Sequence, residues 1–276
     1  MKSAKTIQLF VISLIIILLI LVAAPYLPPG VDWELAFRPA ANELLALRSP
    51  YNVEGFFNPA WTLIPVLPLA LLPVELGRAA FLMLSLAGYA YGAYRLGGRN
   101  LPWIAFLTSP IVLHGLLNAN FDWIPLLGFS LPPQIGLFLV LTKPQVGWVV
   151  ALFWLVEAWR DGRWRQVATT FLPVTIAFLL NDAIFGFWPA RYAAMPDLWW
   201  NASFWPMSIP VGLTLIVTAI RTRKIGYALA AGPCLSPYVL FHSWVGPLAA
   251  ILRFPLETLA AVVGLWILVI LRAISL

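Results

Sequence analysis

The sequence predicts an all-α protein built from transmembrane helices, on three observations. Only 10% of the 276 residues are charged and 62% are hydrophobic, whereas about 25% of residues are charged in ordinary soluble domains. The apolar residues form long runs, such as residues 7–27, which contain no charge and match the roughly 20 residues that span a bilayer. The basic residues cluster between these runs, as in cytoplasmic loops. The net charge of +6 therefore indicates membrane topology and not a nucleic-acid partner.

The first apolar run follows Lys2 and Lys5, which places the amino terminus in the cytoplasm. The run is longer than the core of a secretory signal peptide, so we expect an uncleaved first helix. A first external loop over residues 28–58 then contains a helix that lies in the membrane interface. Residues 58–73 are apolar but contain four prolines, which favours a re-entrant or interfacial helix over a straight span.

Further crossings are predicted over residues 78–94, 101–117, 167–180, 207–220 and 225–240. A second external loop at 181–206 carries four tryptophans, which are typical of the headgroup level. Between residues 122 and 160 the sequence fits either a re-entrant hairpin or a pair of short helices. The carboxyl terminus fits either side of the membrane. The prediction is a single integral domain over residues 1–276 in the plasma membrane, with seven to nine crossings.

Charged side chains near apolar segments are functional candidates because they are costly at membrane depth. Asp32 follows the first helix and could accept a proton from a bound hydroxyl, although an Asp here could also cap a helix. Asp32 and Glu34 alone are too few ligands for a divalent cation, and the single cysteine, Cys234, supports no cysteine-based metal site. Lys143 either snorkels to the interface or binds an anion such as a phosphate.

Three other places contain candidate side chains. Asp122 closes a polar run, residues 118–122, that suits helix capping. His242 lies at an outer boundary where a base could work, whereas His114 lies inside an apolar run and is expected to pack between helices. Arg48 and Asn58 lie in turn sequences of the first external loop.

Several motifs follow one another along the chain in a recognisable order. They are Asp32 after the first helix, Ala40-Ala41, Arg48-Ser49-Pro50-Tyr51, Asn58-Pro59, residues 118–122, Thr142-Lys143-Pro144-Gln145, Asn201-Ala202-Ser203 and residues 235–244. In this order they resemble the polyprenol-phosphate-sugar-dependent glycosyltransferases of the GT-C fold, particularly the mannosyltransferase-like glycosyltransferase family 87. The resemblance implies a GT-C-like helix bundle. It also implies inverting transfer of a sugar from a polyprenyl phosphate to an acceptor hydroxyl on the outer side of the cytoplasmic membrane.

The resemblance also implies roles for residues. Asp32 matches the catalytic carboxylate of the first loop, and His242 looks like a late histidine that serves as a second base or as a phosphate contact. The expected substrate-binding residues are Lys143, Arg48, Asn58, Asp122, Gln145 and Arg191. A phosphate that departs on a basic residue needs no metal, and no cofactor is expected. The expected partners are the lipid-linked sugar donor and membrane lipids.

The chain is shorter than members of this family usually are, which leaves a second function open. The alternative is a non-catalytic GT-C-derived subunit that packs against protein partners in a larger membrane complex through its aromatic-rich faces. A transporter is less favoured, because the ionisable residues gather at the outer boundary and not at mid-membrane. Convergence of Asp32, Lys143 and His242 on one outward cavity with a lipid-sized groove would favour the transferase.

Overall fold

The computed structural model describes residues 2–193 and 200–275. Within these ranges the chain is helical and contains no strand, so the all-α prediction is confirmed there. Trp199, one of the tryptophans of the second external loop, lies outside the described residues.

Fourteen α-helices follow one another within the described ranges. They are α1 (Lys2–Ala23), α2 (Arg38–Leu45), α3 (Leu67–Ala70), α4 (Val74–Arg95), α5 (Asn100–Leu107), α6 (Pro110–Leu117), α7 (Trp123–Gly128), α8 (Pro133–Val140), α9 (Pro144–Phe185), α10 (Ala190–Ala193), α11 (Ile209–Thr222), α12 (Ile225–Cys234), α13 (Val245–Ala250) and α14 (Pro255–Ile274). A π-helical turn at Trp33–Phe37 leads directly into α2. This turn and α2 supply the helix expected in the first external loop.

Among the described residues, two helices are long and apolar enough to cross a membrane, namely α9 with 42 residues and α14 with 20. Helices α5 and α6 pass the same test together, but they are bent by 45° where Pro110 begins α6. The described chain therefore contains two candidate spans, or three if the bent pair counts as one. The seven to nine crossings are not confirmed, because breaks shorten other apolar runs to helices such as α11, with 14 residues, and α12, with 10.

Proline and glycine explain where the remaining apolar segments break. The proline-rich segment 58–73 forms only a 3₁₀ turn at Ala60–Leu63 and the four-residue α3, so it contains no straight spanning helix, as expected. Between residue 122 and the start of α9, the structure contains two short helices, α7 with six residues and α8 with eight. These two helices pack closely, since a Cβ on Gly136 would lie 2.7 Å from the carbonyl oxygen of Gly128.

Helix α9 is interrupted where the sequence predicts a basic cytoplasmic turn. Gly162 and Arg163 have non-helical backbone angles, with φ of 54° and ψ of −147° at Arg163. The break divides α9 into two parts and lies between Arg160 and Arg165. Glu157 and Asp161, just before the break, both bind Arg223, which follows α11, at 2.5 and 2.6 Å. These ion pairs join the basic turn of α9 to the turn between α11 and α12.

The core beneath the segment that follows α1 consists of large rings and close helix contacts. The rings of Trp33, Phe81 and Phe121 are fully buried, and the ring centre of Phe81 lies 5.6 Å from that of Trp33 and 5.5 Å from that of Phe121. Trp33 follows Asp32, and Phe121 lies between Asn120 and Asp122. The contacts of these two rings with Phe81 therefore hold both polar segments against α4. Burial of rings this large is a major source of packing energy.

Candidate functional site

Side chains from five separate segments meet in one hydrogen-bonded network. The segments are the turn after α1, helix α6, the loop between α6 and α7, the start of α9 and a 3₁₀ turn at Phe241–Trp244. They contribute Asp32, His114, the pair Asn120 and Asp122, Lys143 and His242, respectively. Asp32, Lys143 and His242 thus belong to the same network, although the sequence analysis also required an outward cavity with a lipid-sized groove.

Lys143 is the centre of this network. Its ammonium lies 2.6 Å from Oδ2 of Asp122 and also donates to Oδ1 of Asn120. Lys143, Asn120 and Asp122 are only 3%, 3% and 1% exposed. The ammonium therefore neither snorkels to the surface nor faces an open site, but binds a carboxylate of its own chain.

Asp32 is the half-buried end of the network. The amide of Asn120 donates to Oδ2 of Asp32, and the backbone N–H of Asp32 donates to the carbonyl oxygen of Asn118 at 3.1 Å. Neither Asp32 nor Asp122 caps the helical turn that follows it. Both carboxylates are bound by polar side chains of the network, so the alternative of simple helix capping does not describe them.

The two histidines form the other arm of the network. Nε2 of His242 lies 3.2 Å from Oδ2 of Asp122, and Nδ1 of His242 lies 3.0 Å from Nδ1 of His114. The contact of Nε2 with Asp122 lacks hydrogen-bond geometry, and the direction of the hydrogen bond between the two Nδ1 atoms is set by the tautomers of the rings. His242 is buried, at 2% exposure, whereas His114 is exposed. His242 is therefore the buried ring of this pair and His114 the exposed one.

Burial and the neighbouring charges shift the pKa values of Asp122, Asp32 and His242 in different directions. Burial alone would raise the pKa of Asp122, but the Lys143 ammonium holds that pKa below its ordinary value. Burial raises the pKa of Asp32, and the Asn120 amide and Lys143 only partly oppose this rise. Burial lowers the pKa of His242 to about 3, so this ring is neutral at pH 7. Asp32 is consequently the carboxylate of the network whose proton affinity is raised, whereas that of Asp122 is lowered.

A small cavity lies beside the network. It is lined by Asp122 and Ser243 together with apolar side chains that include Phe129 and Leu229. Its volume is about 10 Å³, which is room for about one water molecule. A sugar or a lipid chain is too large for this cavity.

A second polar cluster adjoins the network through Asn58. Asn58 is buried, and its amide donates to the carbonyl oxygen of Thr142 at 2.7 Å. The hydroxyl of Tyr51 donates to the carbonyl oxygen of Asn58 at 3.1 Å. Arg191 donates to the carbonyl oxygen of Tyr51, and its guanidinium lies 5.0 Å from the centre of that ring. Two expected substrate-binding residues, Asn58 and Arg191, are thus linked to the segment that contains Lys143.

Arg48 and Gln145 take no part in the network. Arg48 is exposed and makes a two-bond ion pair with Glu43, at 2.7 and 2.9 Å. This pairing lowers the pKa of Glu43 to about 2. Gln145 lies two residues beyond Lys143, and its side-chain oxygen is buried without a hydrogen-bond partner among the described residues.

The sequence reasoning missed the roles of Asn120 and His114. Asn120 bridges Lys143 and Asp32, and His114 extends the network to the surface. One feature of the sequence pointed to Asn120. Its amide side chain can donate and accept hydrogen bonds, and it lies in the polar run that contains Asp122. No comparable signal links His114 to His242, which is 128 residues away.

Comparison of the chain with protein-family models, with curated proteins and with solved structures gave no match. The glycosyltransferase resemblance therefore rests on the motifs alone, and the function must be argued from the network.

Removal of one charge from the Lys143–Asp122 pair should destabilise the fold strongly. Lys143→Met and Asp122→Asn each leave a buried charge without its partner, which costs about 3–5 kcal/mol in other proteins. The double variant removes both charges and should recover much of that loss. Thermal unfolding of the purified variants in lipid nanodiscs, read by tryptophan fluorescence, measures the coupling between the two residues.

The exposed pair of Arg48 and Glu43 is the matched control. Because solvent screens it, Arg48→Met should change the midpoint of unfolding little. Equal stability of Lys143→Met and wild type would contradict the buried ion pair.

Proposed function

We propose that the chain is a membrane glycosyltransferase of the GT-C type, which moves a sugar from a polyprenyl phosphate to an acceptor hydroxyl on the outer face of the plasma membrane. The observation that carries the proposal is the convergence of Asp32, Lys143 and His242 on one network. A half-buried carboxylate with a raised pKa, supported by buried charges, is an arrangement that suits general-base catalysis.

In this mechanism the ionised Asp32 accepts the proton of the acceptor hydroxyl as the hydroxyl oxygen attacks C1 of the sugar. The bond from C1 to the phosphate oxygen breaks as the glycosidic bond forms, and the polyprenyl phosphate leaves with the electron pair. Configuration at C1 inverts. Because the base works only when deprotonated, turnover should fall as the pH drops through the raised pKa of Asp32.

The departing phosphate needs a cation that is not already occupied. Lys143 is buried and binds Asn120 and Asp122, and Arg48 is paired with Glu43. Arg191 is half-buried. It donates a hydrogen bond to the carbonyl oxygen of Tyr51, and its guanidinium lies over the ring of that residue. Among the basic residues that the resemblance nominates, Arg191 is therefore the best candidate for the phosphate contact.

Apolar side chains next to Asp32 in the sequence suit a lipid-linked donor. Tyr26, Val31 and Leu35 are 84%, 52% and 68% exposed, and they lie on both sides of the carboxylate along the chain. A polyprenyl chain could lie against such a surface while its phosphate and sugar reach Asp32. The small volume of the cavity beside Asp122 is compatible with this surface-bound donor.

The membrane orientation belongs to the same proposal, with seven to nine crossings and the amino terminus in the cytoplasm. Arg95, Arg160 and Arg223 then face the cytoplasm, and the Asp32 end of the network faces outside. In a Cys234→Ser background, Glu54→Cys should react with an impermeant thiol reagent in intact cells, and Arg165→Cys should react only after lysis. Reaction at position 165 but not at position 54 in intact cells would reverse the orientation.

One observation favours the second candidate, a non-catalytic subunit of a membrane complex. The cavity beside Asp122 has a volume of about 10 Å³, which is too small for a lipid chain. On that view the buried ion pair only fixes the fold, and the exposed aromatic surface binds a protein partner.

Asp32→Asn should separate the two candidates. The substitution keeps the size of the side chain but removes the base, so turnover should fall by roughly 10²-fold or more. Binding of the donor lipid should change little. The assay is transfer of radiolabelled sugar from polyprenyl phosphate by purified protein in nanodiscs, beside binding of the same donor.

Glu54→Gln is the control, because Glu54 is an exposed carboxylate of the same loop and has no part in the proposed mechanism. Its activity should equal that of the wild type. Failure of the wild-type protein to bind or use any donor in a panel of polyprenyl-phosphate sugars would favour the subunit instead.

A further inference from the structure

We infer that Lys143 and Asn120 are positioning residues that aim the carboxylate of Asp32, and that Lys143 does not bind the phosphate of a substrate. The inference deepens the proposed function and, as a statement about catalysis, rests on it. It contradicts the role that the family resemblance suggests for Lys143, and it follows from three features of the network.

The first feature is the orientation of the Asn120 amide. An ammonium group has only donors, so Lys143 must face the amide oxygen and not the amide nitrogen. The backbone N–H of Phe121 donates to the same oxygen at 2.7 Å. With Oδ1 held by two donors, Nδ2 of Asn120 is left to donate to Oδ2 of Asp32. Lys143 thereby determines which atom Asn120 presents to the base.

The second feature is the way in which Lys143 itself is held. Two of its three N–H donors go to Asn120 and Asp122, and its side chain is 4% exposed. The start of α9 packs tightly against the end of α8, since a Cβ on Gly147 would meet the backbone oxygen of Val140 at 2.0 Å. A substrate phosphate could reach this buried ammonium only if the network around it rearranged.

The third feature is the balance of charge around Asp32. Lys143 from the start of α9 and Asp122 from the loop before α7 are the opposed charges that act on it. The titratable rings of this region are those of the buried His242, the exposed His114 and Tyr238. Burial is the largest cause of the raised pKa of Asp32, the Asn120 amide and then Lys143 oppose it, and Asp122 adds to it.

The inference predicts a shift in the titration of Asp32 that needs no sugar substrate. Asn120→Leu removes the hydrogen bond to Asp32 without a change in charge. The midpoint for protonation of Asp32 should then rise by about one pH unit, the order expected for loss of a hydrogen bond to a charged group. Lys143→Met/Asp122→Asn should also raise the midpoint, because the stronger of the two opposed charges, Lys143, is lost.

Difference infrared spectroscopy of the protein in nanodiscs measures this midpoint from the carbonyl band of the protonated carboxyl. The band is assigned by its disappearance in Asp32→Asn, and Glu54→Gln should retain both band and midpoint. The double variant avoids an unpaired buried charge, so its folding can be checked by the same thermal unfolding as above.

Binding of polyprenyl monophosphate to the same samples distinguishes positioning from phosphate binding. The expected result is a raised midpoint in both variants with unchanged affinity for the lipid phosphate. An unchanged midpoint with loss of that affinity in the double variant would overturn the inference. A shifted midpoint in a protein that transfers no sugar would refute the proposed function and leave the positioning role intact.

Discussion

The structure depends above all on the burial of one ammonium group, that of Lys143. A buried ammonium is costly unless it is paired and hydrogen-bonded, and the chain meets this requirement with Asp122 and Asn120. These acceptors come from the loop between α6 and α7, more than twenty residues before Lys143. The ion pair therefore fixes the start of α9 against that loop, and the amide of Asn120 extends the constraint to Asp32.

The same constraint accounts for the short helices that surround the network. A long straight helix brings few polar side chains to one point, whereas broken helices bring chain ends and loops together. Helix α6 ends at Leu117, α7 begins at Trp123 and α9 begins at Pro144, and each boundary lies next to a residue of the network. Interrupted helices are tolerated in membranes where protein buries the freed backbone groups. Here the helix ends bring the polar side chains of the network together.

The sequence predicted the helical class and the positions of several breaks, because composition and proline act locally. It also identified Asp32, Lys143 and His242 as candidate functional residues, since ionisable groups are rare in such a chain. The partners of these residues could not be predicted in the same way. The contact between His114 and His242 joins positions 128 residues apart, and the choice of Asp122 as the partner of Lys143 depends on how α8 folds back. Crossing number and function also require information beyond hydropathy.

The contact between Nζ of Lys143 and the carboxyl group of Asp122 is the most direct test of this account. Rotational-echo double-resonance NMR on protein in bilayers, with ¹⁵N-labelled lysine and ¹³C-labelled aspartate, detects such a contact by dephasing. The account predicts that one lysine ¹⁵Nζ signal is strongly dephased by carboxyl ¹³C, as the 2.6 Å distance from Nζ to Oδ2 requires, and that Asp122→Asn abolishes the effect. A Lys143 signal dephased by the ³¹P of added polyprenyl monophosphate, and not by aspartate, would contradict it.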